Sequence, residues 1–212
     1  MTRGRFITFE GGEGAGKSTQ VRLLAERLAG RGEVVTTREP GGSPGAEAIR
    51  ALLVTGDVER WSPISETLLM YAARRDHIER VIAPALARGA WVLCDRFYDS
   101  TRAYQGAAGG APADLVRALE ADVVGAVIPD LTLILDLPVM AGLARAASRG
   151  QGEGRFEAKG AAFHERLRMA FLEIAAADPA RCKVIDAGEA PEAVAARIEA
   201  IVTERCGAPD HG

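Results

Sequence analysis

The chain has 212 residues, long enough for one substantial core and expected to form a single domain, 1–212. Hydrophobic residues make up 48% and charged residues 26%, a globular balance, and a formal net charge of −3 argues against a large nucleic-acid footprint. No apolar run approaches the roughly 20 residues that span a membrane.

Residues 6–10, Phe-Ile-Thr-Phe-Glu, read as a buried strand. It runs into Gly11-Gly12-Glu13-Gly14-Ala15-Gly16-Lys17-Ser18, the G-x-x-x-x-G-K-S spacing of a phosphate-binding loop. A helix over 18–29 follows, with Val21, Leu24, Ala25 and Leu28 on one face. Glycines let backbone N–H groups curl around phosphate oxygens, and the helix adds its positive end. Lys17 can reach the outer phosphates, the Ser18 hydroxyl can sit on Mg²⁺, and Thr19 extends the nucleotide-binding run. A second strand over 33–37 leads into Arg38-Glu39-Pro40-Gly41-Gly42-Ser43-Pro44-Gly45, too rich in Pro and Gly for a regular element. A short helix over 46–54 comes next. Ser62-Pro63 caps a long helix reaching about 83–86, where Pro84 is expected to kink it.

A third strand over 90–94 ends at Asp95-Arg96. Residues 99–112 read as loop or helix start. A helix over 113–120, a strand over 131–135 and a helix over 139–147 precede a polar, glycine-rich stretch at 148–160. A helix over 163–177, a strand over 183–185 and a helix over 191–205 complete the pattern, and the tail 207–212 is expected to fray. The strands are apolar throughout rather than alternating, which predicts a parallel sheet covered on both faces. Ligands then gather at the carboxyl ends of the strands, where the phosphate loop, 38–45, 95–105 and 186–188 are expected to converge.

Cys94, Cys182 and Cys206 are far apart and form no metal spacing, so free thiols in a reducing compartment are expected. The first residues lead straight into a strand without a signal-peptide core, which predicts a cytoplasmic protein.

A phosphate loop alone does not separate a GTP switch, an ATPase motor and a small-molecule kinase. A guanine reader uses an Asn-Lys-x-Asp segment, and the sequence contains no Asn. Asp122-Val123-Val124-Gly125 matches Asp-x-x-Gly only after a helix, so it reads as chance. Asp95 at a strand end can hold the hydration shell of Mg²⁺. Arg96 beside it suits a site where two phosphorylated molecules meet, neutralising charge as a phosphoryl group moves. The plain alternative is a surface ion pair. Arg145, Arg149 and Arg155 lie in or beside the glycine-rich segment at about 145–160, which reads either as a lid that excludes water or as a plain connection.

The chain resembles the thymidylate kinases (dTMP kinases) of the bacterial type. The resemblance rests on Phe9-Glu10-Gly11 through Gln20, Arg38-Glu39-Pro40-Gly41-Gly42, Ala72-Ala73-Arg74-Arg75-Asp76-His77, Asp95-Arg96-Phe97, Ala103-Tyr104-Gln105-Gly106, Pro129-Asp130-Leu131-Thr132 and Phe163-His164. It implies the P-loop nucleoside monophosphate kinase fold, α/β with a five-stranded parallel sheet and helices on both faces. It also implies transfer of the γ-phosphoryl group of ATP, with Mg²⁺, to dTMP, and a homodimer. Carried over by match, residues 11–19 bind ATP, Ser18 and Asp95 support the metal, and Arg96 binds the acceptor phosphate. Glu13 would face the deoxyribose 3′-hydroxyl, and Arg38, Glu39 and Arg50 would border the dTMP pocket. The lid arginines would be Arg149 and Arg155. Thr101 and Gln105 match base-binding positions, and Tyr104 matches an aromatic that excludes a 2′-hydroxyl. An Arg on the long helix would donate to thymine O4, with a residue four earlier stacking on the base. Met70/Arg74 and Tyr71/Arg75 both have that spacing; counting back from His77 and Val81-Ile82 favours Arg74 as the family's Arg, which leaves Met70 where the family usually has Phe.

Overall fold

The computed structural model describes residues 3–148 and 154–207. Five strands form one sheet: β1 (Arg5–Glu10), β2 (Val34–Arg38), β3 (Trp91–Asp95), β4 (Leu131–Asp136) and β5 (Cys182–Asp186), in the order β2-β3-β1-β4-β5. Every pairing is parallel. The central strand, β1, is buried along all but its first residue, which is why it reads as a continuous apolar run.

Helices cover both faces. On one face α1 (Lys17–Leu28) and α10 (Pro191–Cys206) pack Val21, Leu24, Leu28, Val194, Ile198 and Val202 onto Ile7, Phe9, Leu133 and Leu135. On the other, α3 (Pro63–His77) and α4 (Ala83–Ala87) cover Phe6, Val92 and Cys94, and α9 (Ala161–Ala177) covers Ile134 and Cys182. The remaining helices are α2 (Pro44–Val54), α5 (Tyr98–Thr101), α6 (Ala113–Val124), α7 (Val139–Ser148) and the short α8 (Gly154–Glu157). All three cysteines are free and buried.

Two helices differ from the sequence expectation. The kink at Pro84 is taken up by a π-helical turn, Ile78–Ile82, in which the Ala83 N–H reaches back to the Ile78 carbonyl. Proline has no N–H to close the ordinary bond to Arg80, so the ladder widens just before it. Residues 99–112, expected as loop or helix start, contain α5 and a second π turn, Arg102–Ala107. The extra residue per turn rotates Tyr104 and Gln105 into the buried interior.

Candidate active site

The register sets Phe9 of β1 opposite Asp95, and Arg38 of β2 opposite Asp95, so three strand ends are level where β1 gives way to the loop at 11–16. Gly11 and Gly14 have φ of 129° and 68°. A Cβ on Gly11 would lie 2.3 Å from the Leu135 carbonyl, and one on Gly14 2.0 Å from the Gly142 carbonyl of α7. The glycines therefore supply both the turn and a close backbone approach. Helix α1 starts behind Gly16 without a side-chain cap, so its first N–H groups are left for a ligand. Lys17 Nζ donates to the carbonyls of Gly12 (2.8 Å) and Gly11 (3.1 Å), bridging the loop. Burial pulls the Lys17 pKa down, and nearby Arg96 adds to this.

Arg96 follows the end of β3 in a left-handed conformation, φ 71°, a strained setting for a non-glycine residue of the kind that accompanies functional sites. Its guanidinium donates to the Gly11 carbonyl (3.0 Å), Ser100 Oγ (3.2 Å) and Glu13 Oε1 (3.0 Å), and lies 4.8 Å from the centre of the Tyr104 ring. Tyr104 Oη donates to the same Glu13 oxygen at 2.6 Å. Burial works against the Glu13 carboxylate, but Arg96, Lys17 and Tyr104 outweigh it and hold its pKa below the usual range. Beneath them Glu10 is fully buried and accepts from Phe97 N (2.8 Å) and Ser100 Oγ (2.6 Å). Burial, reinforced by Asp99, pushes its pKa up to about 7.

Beside this cluster a cavity is lined by Glu13, Glu39, Met70, Arg74, Arg96, Thr101, Tyr104, Gln105 and Phe156, among others. Arg74 is 2% exposed. Its Nε donates to Glu39 Oε2 (2.7 Å) and its Nη2 to Thr101 Oγ1 (3.0 Å), while Nη1 is buried without a partner. The rings of Tyr71 and Phe97 lie 4.8 and 5.4 Å from its guanidinium carbon. Glu39 is held in turn by His77 Nδ1 at 2.9 Å. A buried, unpaired, charged donor in a cavity is a costly arrangement unless a ligand acceptor completes it.

The geometry separates the two helical pairs. Met70 and Arg74 line the cavity, whereas Tyr71 is turned one residue around α3 into the core, where its hydroxyl donates to the Val116 carbonyl at 3.3 Å. Tyr71 thereby lies behind Arg74 and off the cavity wall. Arg75 is exposed and pairs with Glu79.

Arg38 pairs with Glu47 at 3.3 Å and lines an adjacent open cleft with Ser18, Thr37 and Asp95 rather than the cavity. Arg50 stands behind the wall, donating to the Pro40 carbonyl at 2.6 Å. Arg155 is held by the protein's own groups. It is 3% exposed, and its fork is taken up by the carbonyls of Leu53, Asp57 and Val58 and by Glu66 Oε2 at 2.5 Å. Helix α2 has no basic residue in its own last turn, and Arg155 serves its C-terminal end instead. Arg149 lies outside the described residues.

A further cleft lies behind the loop, between Gly16, Thr19, Gln20, Arg145, Ala187, Glu189 and Pro191. Arg145 fixes its floor by donating to the Ala187 carbonyl at 2.9 Å. Among the described residues no group of three or more His, Cys, Asp and Glu side chains forms a metal site. Ser18 and Asp95 share one solvent-open cleft with hydroxyl and carboxylate oxygens, the hard donors that suit Mg²⁺ when phosphates and water complete its shell.

A family model described as thymidylate kinase matches residues 9–198. The chain belongs to the thymidylate kinase family. It is 67% identical over 208 residues to the thymidylate kinase of Caulobacter vibrioides, covering 98% of this chain and 100% of that one. It is 59% identical over 200 residues to that of Rhodopseudomonas palustris, covering 92% and 87%. The crystal structure of thymidylate kinase from Ehrlichia chaffeensis superposes with a TM-score of 0.78 at 35% identity, covering 94% of this chain and 99% of that one. Membership makes the chain an enzyme, a dTMP kinase of the P-loop nucleoside monophosphate kinase fold.

Within this thymidylate kinase framework, sequence reasoning missed Glu10, Glu66 and Phe156. Glu10 carried a signal, a charge at the end of an apolar strand. Glu66 lies in the first turn of α3, where the helix dipole by itself accounts for an acid. Phe156 was a lone aromatic in a polar, glycine-rich stretch.

Proposed function

We propose that the cavity beside the phosphate loop takes dTMP, and that the loop and the cleft behind it take ATP, within one kinase domain. The observation that carries this reading is the partnerless Nη1 of Arg74, a residue of the same cavity that Arg96 lines while donating to the Gly11 carbonyl of the phosphate loop. Thymine offers an acceptor at O4, which satisfies Arg74. Cytosine presents a donor there and leaves both groups unpaired, at about 1–3 kcal/mol per buried group. Met70 packs on the base through its polarizable sulfur, and Thr101 and Gln105 complete its polar edge. Tyr104 stands against the sugar where a 2′-hydroxyl would project, and Glu13, kept ionised, accepts from the 3′-hydroxyl.

Arg96 then holds the acceptor phosphate while Lys17 and the loop amides hold the donor phosphates. An acceptor phosphate oxygen forms a bond to the γ-phosphorus as the bond from that phosphorus to the β-bridging oxygen breaks. Charge on the transferred group meets Lys17 and Arg96 already in place. Ser18 and Asp95 would hold Mg²⁺, directly and through water, and the ion neutralises charge on the donor phosphates. Adenosine lies in the cleft between Arg145 and residues 187–191.

The same reading includes a homodimer in the cytoplasm. Exposed Leu52, Ile64 and Leu68 on α2 and α3 support a covered apolar face, and three free cysteines fit a reducing compartment. The test is a coupled assay with ATP and Mg²⁺ on dTMP, dUMP, dCMP, dGMP and AMP. We expect the highest kcat/KM for dTMP and at least a tenfold loss for dCMP; a wide preference for another monophosphate overturns the pocket assignment.

A further inference from the structure

Glu66 is 5% exposed in the first turn of α3 and has no place in the chemistry above. Its two oxygens are divided. Oε1 accepts from Gln105 Nε2 at 2.8 Å, and Oε2 pairs with Arg155 Nη1 at 2.5 Å. These partners come from different functional parts. Gln105 lines the acceptor cavity from the second π turn. Arg155 belongs to α8, whose next residue, Phe156, lines the same cavity and meets the Tyr104 ring edge-on with centroids 5.8 Å apart. Tyr104 in turn donates to Glu13 on the phosphate loop.

A carboxylate only accepts, and with two oxygens it serves two donors at once. Removing Arg155 from it leaves a buried charge facing one amide, which is costly and draws Gln105 from its position. Removing Gln105 leaves Arg155 with an unshared partner. The aim of the polar base-contacting residue and the seating of the aromatic cover are therefore set by one side chain. We propose that Glu66 is a positioning residue that ties the docking of α8 over the acceptor cavity to the orientation of Gln105, and so sets affinity for the nucleoside monophosphate without touching it. The proposal rests on the acceptor-cavity reading above.

The experiment is steady-state kinetics and dTMP calorimetry on Glu66→Gln, Glu66→Asp, Gln105→Ala and Arg155→Lys, with thermal unfolding alongside. A carboxamide keeps the shape but has one acceptor, so it serves only one of the two donors. We expect Glu66→Gln to raise the dTMP KM and Kd about tenfold or more, the loss that follows when a hydrogen bond to a charged group fails, with the ATP KM within about twofold. Glu66→Asp should recover part of this. Gln105→Ala should weaken dTMP less in the Glu66→Gln background than in the parent, because the link is already cut. If Glu66→Gln does not fold, the same comparison is made with Arg155→Lys, which keeps the charge and loses the fork. A lower unfolding temperature with unchanged dTMP KM, or Gln105 and Arg155 effects that simply multiply, overturns the proposal while the cavity stands. If Gln105→Ala and Arg74→Ala also leave dTMP binding untouched, the cavity reading itself has failed.

Discussion

Glu10→Gln isolates one buried charge. In the fold the Glu10 pKa is pushed from 4.5 to about 7, first by burial and then by Asp99. The folded protein therefore retains a proton between pH 4.5 and about 7 that the unfolded chain has released. Stability contributed by this group is full below pH 4.5, falls as pH rises, and is gone above about pH 7. Over that span the change is about 3 kcal/mol, at about 1.4 kcal/mol per pH unit. Glutamine does not titrate. Its carbonyl accepts from Phe97 N, and the Ser100 hydroxyl turns to accept from its NH₂, so the site is kept. Relative to the parent, the variant should thus gain about 3 kcal/mol between pH 4.5 and 8, or about 6–12 °C of midpoint. Urea unfolding of both proteins at half-unit pH intervals measures this, with all other titrations common to the pair. Parallel stability curves would refute the argument. So would a parent that gains on the variant as pH rises, since that would mean the Phe97 and Ser100 donors hold the carboxylate ionised.

Other substitutions test separate parts of the site. Gly14→Ala forces a Cβ against the Gly142 carbonyl at a positive φ, and should cost about 1–3 kcal/mol in thermal unfolding while weakening ATP binding. Arg96→Ala should lower kcat about 10²–10³-fold, with ATP affinity by calorimetry within about twofold; unchanged turnover would reduce Arg96 to a structural ion pair with Glu13. Met70→Ala should raise the dTMP KM about tenfold, whereas Tyr71→Phe should leave it unchanged and lose only the hydroxyl bond to Val116, about 1 kcal/mol of stability.

The sheet was legible because parallel strands buried on both faces leave unbroken apolar runs, and all five strands were placed within two residues at each end. The phosphate loop was legible because its function demands glycines at fixed spacing. Base contacts were half legible. Spacing offered Met70/Arg74 and Tyr71/Arg75 alike, the match counted back from His77 favoured Arg74, and in the structure Met70 and Arg74 line the cavity while Tyr71 packs into the core. The π turns were not legible, since an extra residue in a helix leaves no composition signal. Arg155 shows the opposite failure. An arginine in a glycine-rich stretch suggested a phosphate partner, but in the structure the Leu53 carbonyl in the last turn of α2, the Asp57 and Val58 carbonyls just beyond it, and Glu66 hold it.

The slot that holds Arg74 has a thermodynamic consequence. A free arginine side chain gives up about 2 kcal/mol of rotamer entropy when it is fixed. Here the rings of Tyr71 and Phe97, with Glu39 and Thr101 at two of its nitrogens, have already fixed it during folding. In the proposed binding mode the incoming nucleotide meets a donor with one direction left to point, so recognition would draw on freedom the chain surrendered when its core formed. Lysine, with no plane for two rings to flank, could carry the same charge into this slot but not the same order.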